Sequence, residues 1–436
     1  MANLQDREEQ YFAATLWGLR SLLSLTASVV LRLPFLQLGS SNTLYTRSIP
    51  TLLNHGLDLL AVDSDHTLGD GPQRTRVQKF LVSTDWIELQ QYAARRRDGM
   101  SCQVLPDIGL GYNHVVRIIE FADGFRWVAR LQMPSLGTHT PGTNTDADAD
   151  GNLVISQFES RMRSEAVIIG LVRERTDIPT PKIHAMETRG DGPVKASFML
   201  VECLPGNVGM DLGMDIPERF KSSFLKQLAT IHVSLLSKLS TVKLPKIGEI
   251  IARNTDGTYE QGPIPGLGGP FDTATEYFQA WASKTKFGAP PEQLRLACGP
   301  YADEIVPAVA SFPKSIMNFT HAISTCDNGP FPLCHGDFGH NNIVVDDEYR
   351  VLGVIDWEMA YAGPWEMFAD FPLTLRDIPP AIDAPWNYDE AGNPKDEETR
   401  QLNADCEEYI AAVREKETEL GIDCSLSDVL ADQKRG

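Results

Sequence analysis

Three oxygen-bearing side chains between Leu333 and Pro364, in the stretch LCHGDFGHNNIVVDDEYRVLGVIDWEMAYAGP, have the types and order needed to move a phosphoryl group. His335-Gly336-Asp337 is followed by Asn342, and a strand hairpin then leads to Asp356. Phosphoryl transfer needs one carboxylate to orient the attacking hydroxyl and accept its proton. It also needs an amide oxygen and a second carboxylate to hold magnesium against the phosphates. Asp-x-x-x-x-Asn is the spacing of the kinase catalytic loop, with the aspartate as base and the asparagine as metal ligand. Asp356, closing the apolar run Val351-Leu352-Gly353-Val354-Ile355, stands where a kinase keeps its second metal ligand. Taken singly, each fragment reads equally well as a turn or a helix cap. In this order and across a hairpin they point to chemistry.

The segment resembles the signature of the aminoglycoside phosphotransferase and choline kinase-like family, whose members share the protein-kinase-like fold. The residues that carry the resemblance are His335, Gly336, Asp337, Asn342, Ile343, Ile355, Asp356 and Trp357. Trp357-Glu358, with Gly363-Pro364 and Asp370 beyond, is similar to the fungal-type branch. The resemblance spans residues 82 to 425 and leaves the first 80 outside. It implies transfer of the γ-phosphate of ATP or GTP to a hydroxyl of a small molecule, with Asp337 as catalytic base. Mg2+ accompanies the nucleotide and is held by Asn342 and Asp356.

Matching nucleotide parts are sought in the N-terminal half. Gly109-Leu110-Gly111-Tyr112-Asn113-His114 precedes a strand, and small residues there let backbone N–H groups approach phosphates. A plain β-turn has an equal claim on two glycines. Arg130, in Trp127-Val128-Ala129-Arg130, occupies the strand position where kinases carry a phosphate-binding lysine. Arginine grips phosphate through a planar fork, so the exchange changes the contact. By the same resemblance Glu165 is the carboxylate partner of Arg130, and the backbones of Glu202 and Leu204 offer the nucleotide base its hydrogen bonds. His232 and His335 read as structural histidines, since neither has a His, Cys or Glu companion at zinc spacing.

These residues need elements to position them. Val115–Phe121 and Phe125–Leu131 are rich in β-branched and aromatic residues and are separated by Ala122-Asp123-Gly124, a hairpin signal. Trp86–Arg97 reads as a helix, and so does the segment carrying Phe158, Met162, Ala166, Ile169 and Val172 at spacings of three and four. Ser197–Cys203 reads as a buried strand. Beyond it helical periods dominate, interrupted by one β-like island from Asn342 to Ile355. The expected fold class is α+β: a two-lobed, protein-kinase-like chain with a small β-rich N-lobe and a larger, mainly helical C-lobe. The boundaries are a helical N-terminal extension over 1–80, the N-lobe over 81–204 and the C-lobe over 205–436, with the catalytic loop at 333–364. Ser135–Asn152, polar and acidic, is predicted to be a mobile loop.

Composition narrows the function further. A chain of 436 residues with 42% hydrophobic and 22% charged residues is an ordinary globular protein of more than one lobe. Its net charge of -20 argues against a nucleic-acid partner and is compatible with a cationic acceptor. Seven cysteines without a C-x-x-C pair suggest neither a disulfide framework nor a zinc site, which fits a reducing, cytoplasmic setting. Leu16–Leu38 is interrupted by Arg20 and Arg32 and is too short to cross a bilayer, although a peripheral contact is a second reading. Asp6, Glu8 and Glu9 disagree with a targeting leader.

Substrate choice is expected between residues 265 and 330 and from 360 to 387, where Phe271, Tyr277, Phe278, Trp281, Trp365 and Trp386 offer either acceptor contacts or core packing. The sequence names neither the acceptor nor an oligomeric state. The chief alternative function is a nucleotide-binding pseudokinase or regulatory protein of the same fold. A Ser/Thr protein kinase is disfavoured by His-Gly-Asp and Ile-Asp-Trp, and a structural protein by the coincidence it would require.

Overall fold

Buried and half-buried residues alternate without a break along the strand Arg126–Gln132 (β3), and that period of two dictates the rest of its sheet. Trp127, Ala129 and Leu131 go to the core, whereas Arg126, Val128 and Arg130 take the opposite face. In this computed structural model, residues 71–111, 113–134, 147–209, 211–284, 292, 295, 302–376 and 387–435 are described. The proposed extension over 1–80 therefore lies outside them up to residue 70, as do Leu16–Leu38 and residues 135–146.

The described residues divide into two units. One holds the residues up to Phe220 together with His340–Glu358. It begins with two helices, Pro72–Ser83 (α1) and Trp86–Arg96 (α2), the second capped by the Asp85 carboxylate on the Glu88 N–H. Cys102–Leu110 (β1), His114–Phe121 (β2), β3, Ile183–Glu187 (β4) and Phe198–Glu202 (β5) form an antiparallel sheet in the order β1-β2-β3-β5-β4. Asp123-Gly124 makes the expected β2–β3 turn, with Gly124 at φ +80°. Val77, Phe80, Leu89 and Ala93 of the helices join Trp127, Ala129 and Leu131 in one apolar cluster. That cluster covers one face of the sheet and leaves the Arg130 face to the site.

A 29-residue helix, Ala147–Arg175 (α3), supplies Glu165. Its start corrects the loop predicted over Ser135–Asn152, because residues 147–152 are helical. Alanines alternating with aspartates satisfy both helix propensity and the positive end of the helix dipole, which outweighs the lack of apolar residues. The later excursion, Ile343–Val345 (β9) paired antiparallel with Val351–Val354 (β10), is the predicted β-like island. Asn207 and Val345 exchange backbone hydrogen bonds of 2.9 and 2.8 Å, which attaches this hairpin to the chain that follows β5. Close approach there requires a glycine at 206: a Cβ would fall on the Val345 carbonyl oxygen and against the Leu352 side chain.

The other unit comprises Lys221–Gly339 and the described residues from Met359 onward. Glu218–Leu239 (α4) buries Leu225, Leu228, Ala229, His232 and Leu235 along one stripe. Two antiparallel pairs were not foreseen in this mainly helical half: Glu249–Arg253 (β6) with Tyr259–Gly262 (β7), and Leu333–Cys334 (β8) with Tyr361–Ala362 (β11). Asp256-Gly257, with Gly257 at φ +85°, turns the first of them through the same dipeptide as the β2–β3 turn. Helices Ala274–Lys284 (α5), Ala302–Ile323 (α6), Trp365–Phe368 (α7), Glu397–Leu420 (α8) and Ser425–Arg435 (α9) complete the unit. Tyr277, Phe278 and Trp281 of α5 are fully buried, so of the two readings offered for these aromatics core packing is the correct one. No helix among the described residues is long and apolar enough to cross a membrane.

Gly206→Ala is expected to destabilise the protein by ~1–3 kcal/mol, the usual cost of forcing extra volume into a packed contact. A thermal melt would read this as a lower midpoint. An unchanged midpoint would mean that the backbone approach to Val345 is dispensable.

Candidate active site

Arg130 is the centre of the site, and its surroundings follow from the strand period. Facing away from the apolar cluster, its guanidinium is enclosed by three carboxylates: Glu165 Oε1 at 2.6 Å, Asp356 Oδ1 at 2.9 Å and Glu358 Oε2 at 2.6 Å. His114 Nδ1 lies 3.4 Å from the same guanidinium. The Arg130 side chain is 17% exposed and that of Glu165 only 5%, so both charges are largely out of water. Burial raises the Glu165 carboxyl to about 7, with Arg130 opposing and Asp356 and Glu358 reinforcing the rise. Burial would lower the Arg130 value, but the three acids outweigh it and hold the guanidinium charged. His114 is kept well below the ordinary histidine range, first by burial and then by Arg130, and is therefore neutral.

The acids arrive from separate elements. Glu165 projects from α3, and Asp356 and Glu358 follow β10. Asp356 adopts a left-handed backbone at φ +63°, a conformation uncommon outside glycine and frequent at functional sites. The Ile355 N–H donates to the Asn342 carbonyl at 2.9 Å, fixing the backbone of one candidate metal ligand beside that of the other.

A cavity of about 390 Å3 opens beside this cluster within the sheet-bearing unit. Gly109, Gly111, Arg130, Glu165, Glu202, Leu204, Asn342 and Asp356 all line it, together with Val116, Val128, Met199 and Val344. Eight residues picked out from the sequence thus share one apolar-walled cleft. Gly111 closes the β1–β2 turn by donating its N–H to the His114 carbonyl at 2.9 Å, so the turn and the cavity-lining position coexist. Asp337 belongs to the other unit. There the Asp337 N–H donates to His335 Nδ1 at 3.3 Å, and Gly336 sits at φ +82° where a Cβ would strike the Met359 carbonyl oxygen. His232 Nε2 donates to the Phe368 carbonyl at 2.9 Å, so its Nδ1 accepts the Tyr409 hydroxyl, also at 2.9 Å. Burial lowers that imidazole to about 4, which suits the structural role expected of it. Glu358 and His114 were given no role at the site from the sequence, although Trp357-Glu358 contributed to the resemblance and His114 ends the glycine-containing stretch.

The donor chemistry fits magnesium. The amide oxygen of Asn342 and the carboxylate of Asp356 are hard oxygen donors of the kind magnesium takes.

The model of the phosphotransferase enzyme family matches residues 148–402, more than half of the chain. The chain belongs to this family. By class it is a phosphotransferase, and the match takes in Glu165, Glu202, Leu204, Asp337, Asn342 and Asp356 while starting beyond Gly109, Gly111 and Arg130. The chain is 24% identical over 334 residues to the clavilactone A biosynthesis cluster protein Y of Ampulloclitocybe clavipes, covering 71% of this chain and 73% of that one. Solved structures similar to it include the macrolide 2′-phosphotransferase MphH of Brachybacterium faecium, at 15% identity and a TM-score of 0.36 over 80% of this chain and 88% of that one. An ADP-bound aminoglycoside phosphotransferase, APH(2″)-Ib, matches at 12% identity and a TM-score of 0.35 over 80% and 92%.

Replacing Arg130 by Met leaves the carboxylates facing one another without their cation. The expected loss is up to ~3–5 kcal/mol, the usual cost of breaking a buried pair, reduced by water at Asp356, whose side chain is 39% exposed. A raised Glu165 value means that its contribution is complete at low pH and is lost as pH rises through about 7. Without Arg130 that value rises further, so the deficit should shrink from about pH 8 to about pH 5. Denaturant melts of both proteins across this range would reveal it, and a deficit independent of pH would contradict the charge assignment.

Proposed function

We propose that the protein transfers the terminal phosphate of ATP or GTP to a hydroxyl of a small molecule, using Mg2+ as the accompanying ion. The observation that carries this reading is the single cavity lined by Gly109, Gly111, Arg130, Glu165, Glu202, Leu204, Asn342 and Asp356. Its volume and largely apolar walls suit a nucleoside, and its charged end suits phosphates and a metal. Backbone groups of Glu202 and Leu204 receive the base. Arg130, oriented by Glu165, reaches the phosphates as a bidentate donor. Asn342 and Asp356 hold Mg2+, which when bound neutralises charge developing on the transferred group. Asp337 orients the acceptor hydroxyl and takes its proton, and the N–H bond to His335 fixes the backbone of that aspartate. A reducing, cytoplasmic setting accompanies this reading.

The Arg130–Asp356 contact gives weight to a second reading, a nucleotide-binding protein of the same fold without turnover. In that reading the arginine keeps the position that a metal ion would need. The two readings part at the metal and at the base.

Calorimetry should show tight nucleotide binding with Mg2+ and much weaker binding with a chelator, and Asp356→Ala should remove the difference. Equal affinity under both conditions in the parent would exclude the metal assignment. Asp337→Asn preserves the shape of the loop but removes the proton acceptor. Nucleotide affinity should stay near the parent value while turnover, measured as acceptor phosphorylation or slow nucleotide hydrolysis, falls by at least ~10²-fold. Turnover equal to the parent would favour the binding-protein reading.

A further inference from the structure

Arg130 divides its fork between its partners. Nη1 holds Glu165, whereas Asp356 at 2.9 Å and Glu358 at 2.6 Å share Nη2. In the nucleotide reading Asp356 is given to Mg2+ and Nη2 to a phosphate, while Nη1 can keep Glu165 throughout. Glu358 is then the carboxylate left behind. Its side chain is 19% exposed, and its remaining contact among the described residues is His114 Nε2 at 3.6 Å, an imidazole that burial keeps neutral. A carboxylate stripped of its cation this far out of water is strongly destabilising, so the bound state needs a second cation for Glu358.

One stands nearby. A space of about 10 Å3, roughly the room of one water molecule, adjoins the cluster and is bordered by both Arg161 and Glu358. Arg161 precedes Glu165 by four residues on α3 and so shares its face of the helix. It is half-buried, and no hydrogen bond or ion pair to it is found among the described residues. Charges withdrawn from water are normally paired, so this guanidinium lacks an anion in the resting cluster. Arg130, Glu165 and His114 line both this space and the larger cavity, whereas Arg161 and Glu358 line only the smaller of the two. Arg161 therefore addresses Glu358 and not the nucleotide.

We propose that Arg161 is a positioning residue that takes over Glu358 when Arg130 turns to the phosphates. This rests on the nucleotide reading given above. One arginine–carboxylate pair replaces another, so the turning of Nη2 leaves no carboxylate of the cluster without a cation. Staggered rotamers of a long side chain suffice to cross a gap of one water, which leaves β3 and α3 in place.

Calorimetric titration of the full chain with the Mg2+ complex of ATP, and of GTP in parallel, tests the exchange. Arg161→Met should weaken nucleotide binding by ~10-fold to ~100-fold, the usual effect of losing a hydrogen bond to a charged group. Its thermal midpoint without nucleotide should stay at the parent value, because the resting Arg161 has no partner to lose. Arg161→Lys keeps the cation, guards against a folding defect in the methionine variant, and should restore most of the affinity. Glu358→Gln removes the charge that needs a cation, so the double variant Arg161→Met/Glu358→Gln should bind within ~2-fold of Glu358→Gln alone. An Arg161→Met protein that binds nucleotide like the parent would overturn the inference, since Glu358 would have found its cation elsewhere. So would a loss of undiminished size in the Glu358→Gln background, which would put Arg161 on another anion, or a lowered nucleotide-free midpoint that accounts for the loss. If the parent binds neither nucleotide, the nucleotide reading itself falls and this inference falls with it.

Discussion

A guanidinium withdrawn from water cannot persist without anions around it, and the sheet-bearing unit is organised around that requirement. Arg130 is carried inward by the pleat of β3, and its neutralisation draws in a helix residue 35 positions later and two acids 226 and 228 positions later. Three carboxylates around one cation over-compensate it, so the cluster keeps a surplus of negative charge. The proton held on Glu165 near neutrality relieves part of this surplus, and a divalent ion would relieve more. The cluster is thus held together by Arg130 and left with acid to spare.

Much of this was legible in the sequence because its signals are local. Asp-Gly between two β-branched runs specified the β2–β3 hairpin, and the apolar island around Ile343 and Val351 specified β9–β10. The strand position of Arg130 was read from its resemblance to the kinase lysine, and the chemistry of Asp337, Asn342 and Asp356 suggested phosphoryl transfer before any geometry. The less legible parts depend on what meets what. No pattern in the chain says that Arg130 touches Asp356, or that Glu358 joins them, because those contacts form between segments with no periodic relation. The β6–β7 hairpin lay within a half dominated by helical periods, although Asp256-Gly257 had announced it in the same terms as Asp123-Gly124. The early start of α3 shows helix propensity and dipole charge prevailing where low hydrophobicity suggested a loop.

In the helical unit the constraints are of packing rather than charge. His232 is neutral and fixed in one tautomer by Phe368 and Tyr409, which ties α4 to α7 and α8. Gly336 lets the chain pass against Met359 just before Asp337, so the conformation of the His-Gly-Asp turn depends on backbone proximity as well as on its own sequence. Family membership and the burial of Tyr277, Phe278 and Trp281 together shift attention, in the matter of acceptor choice, from the α5 aromatics to residues that remain accessible.

The interrupted path of the chain through the sheet-bearing unit has a consequence for biosynthesis. A ribosome delivers β1 to β5 and α3 early, so Arg130 can meet Glu165 while the rest is still being translated. Asn342, Asp356 and Glu358 emerge only after Lys221–Gly339 has left the exit tunnel. Throughout that interval the nascent unit lacks the β9–β10 strands, and the groups of Asn207 that bond Val345 face solvent or whatever else approaches. A chain halted at that point would leave a strand edge uncovered, the kind of surface that makes partly folded species prone to aggregate.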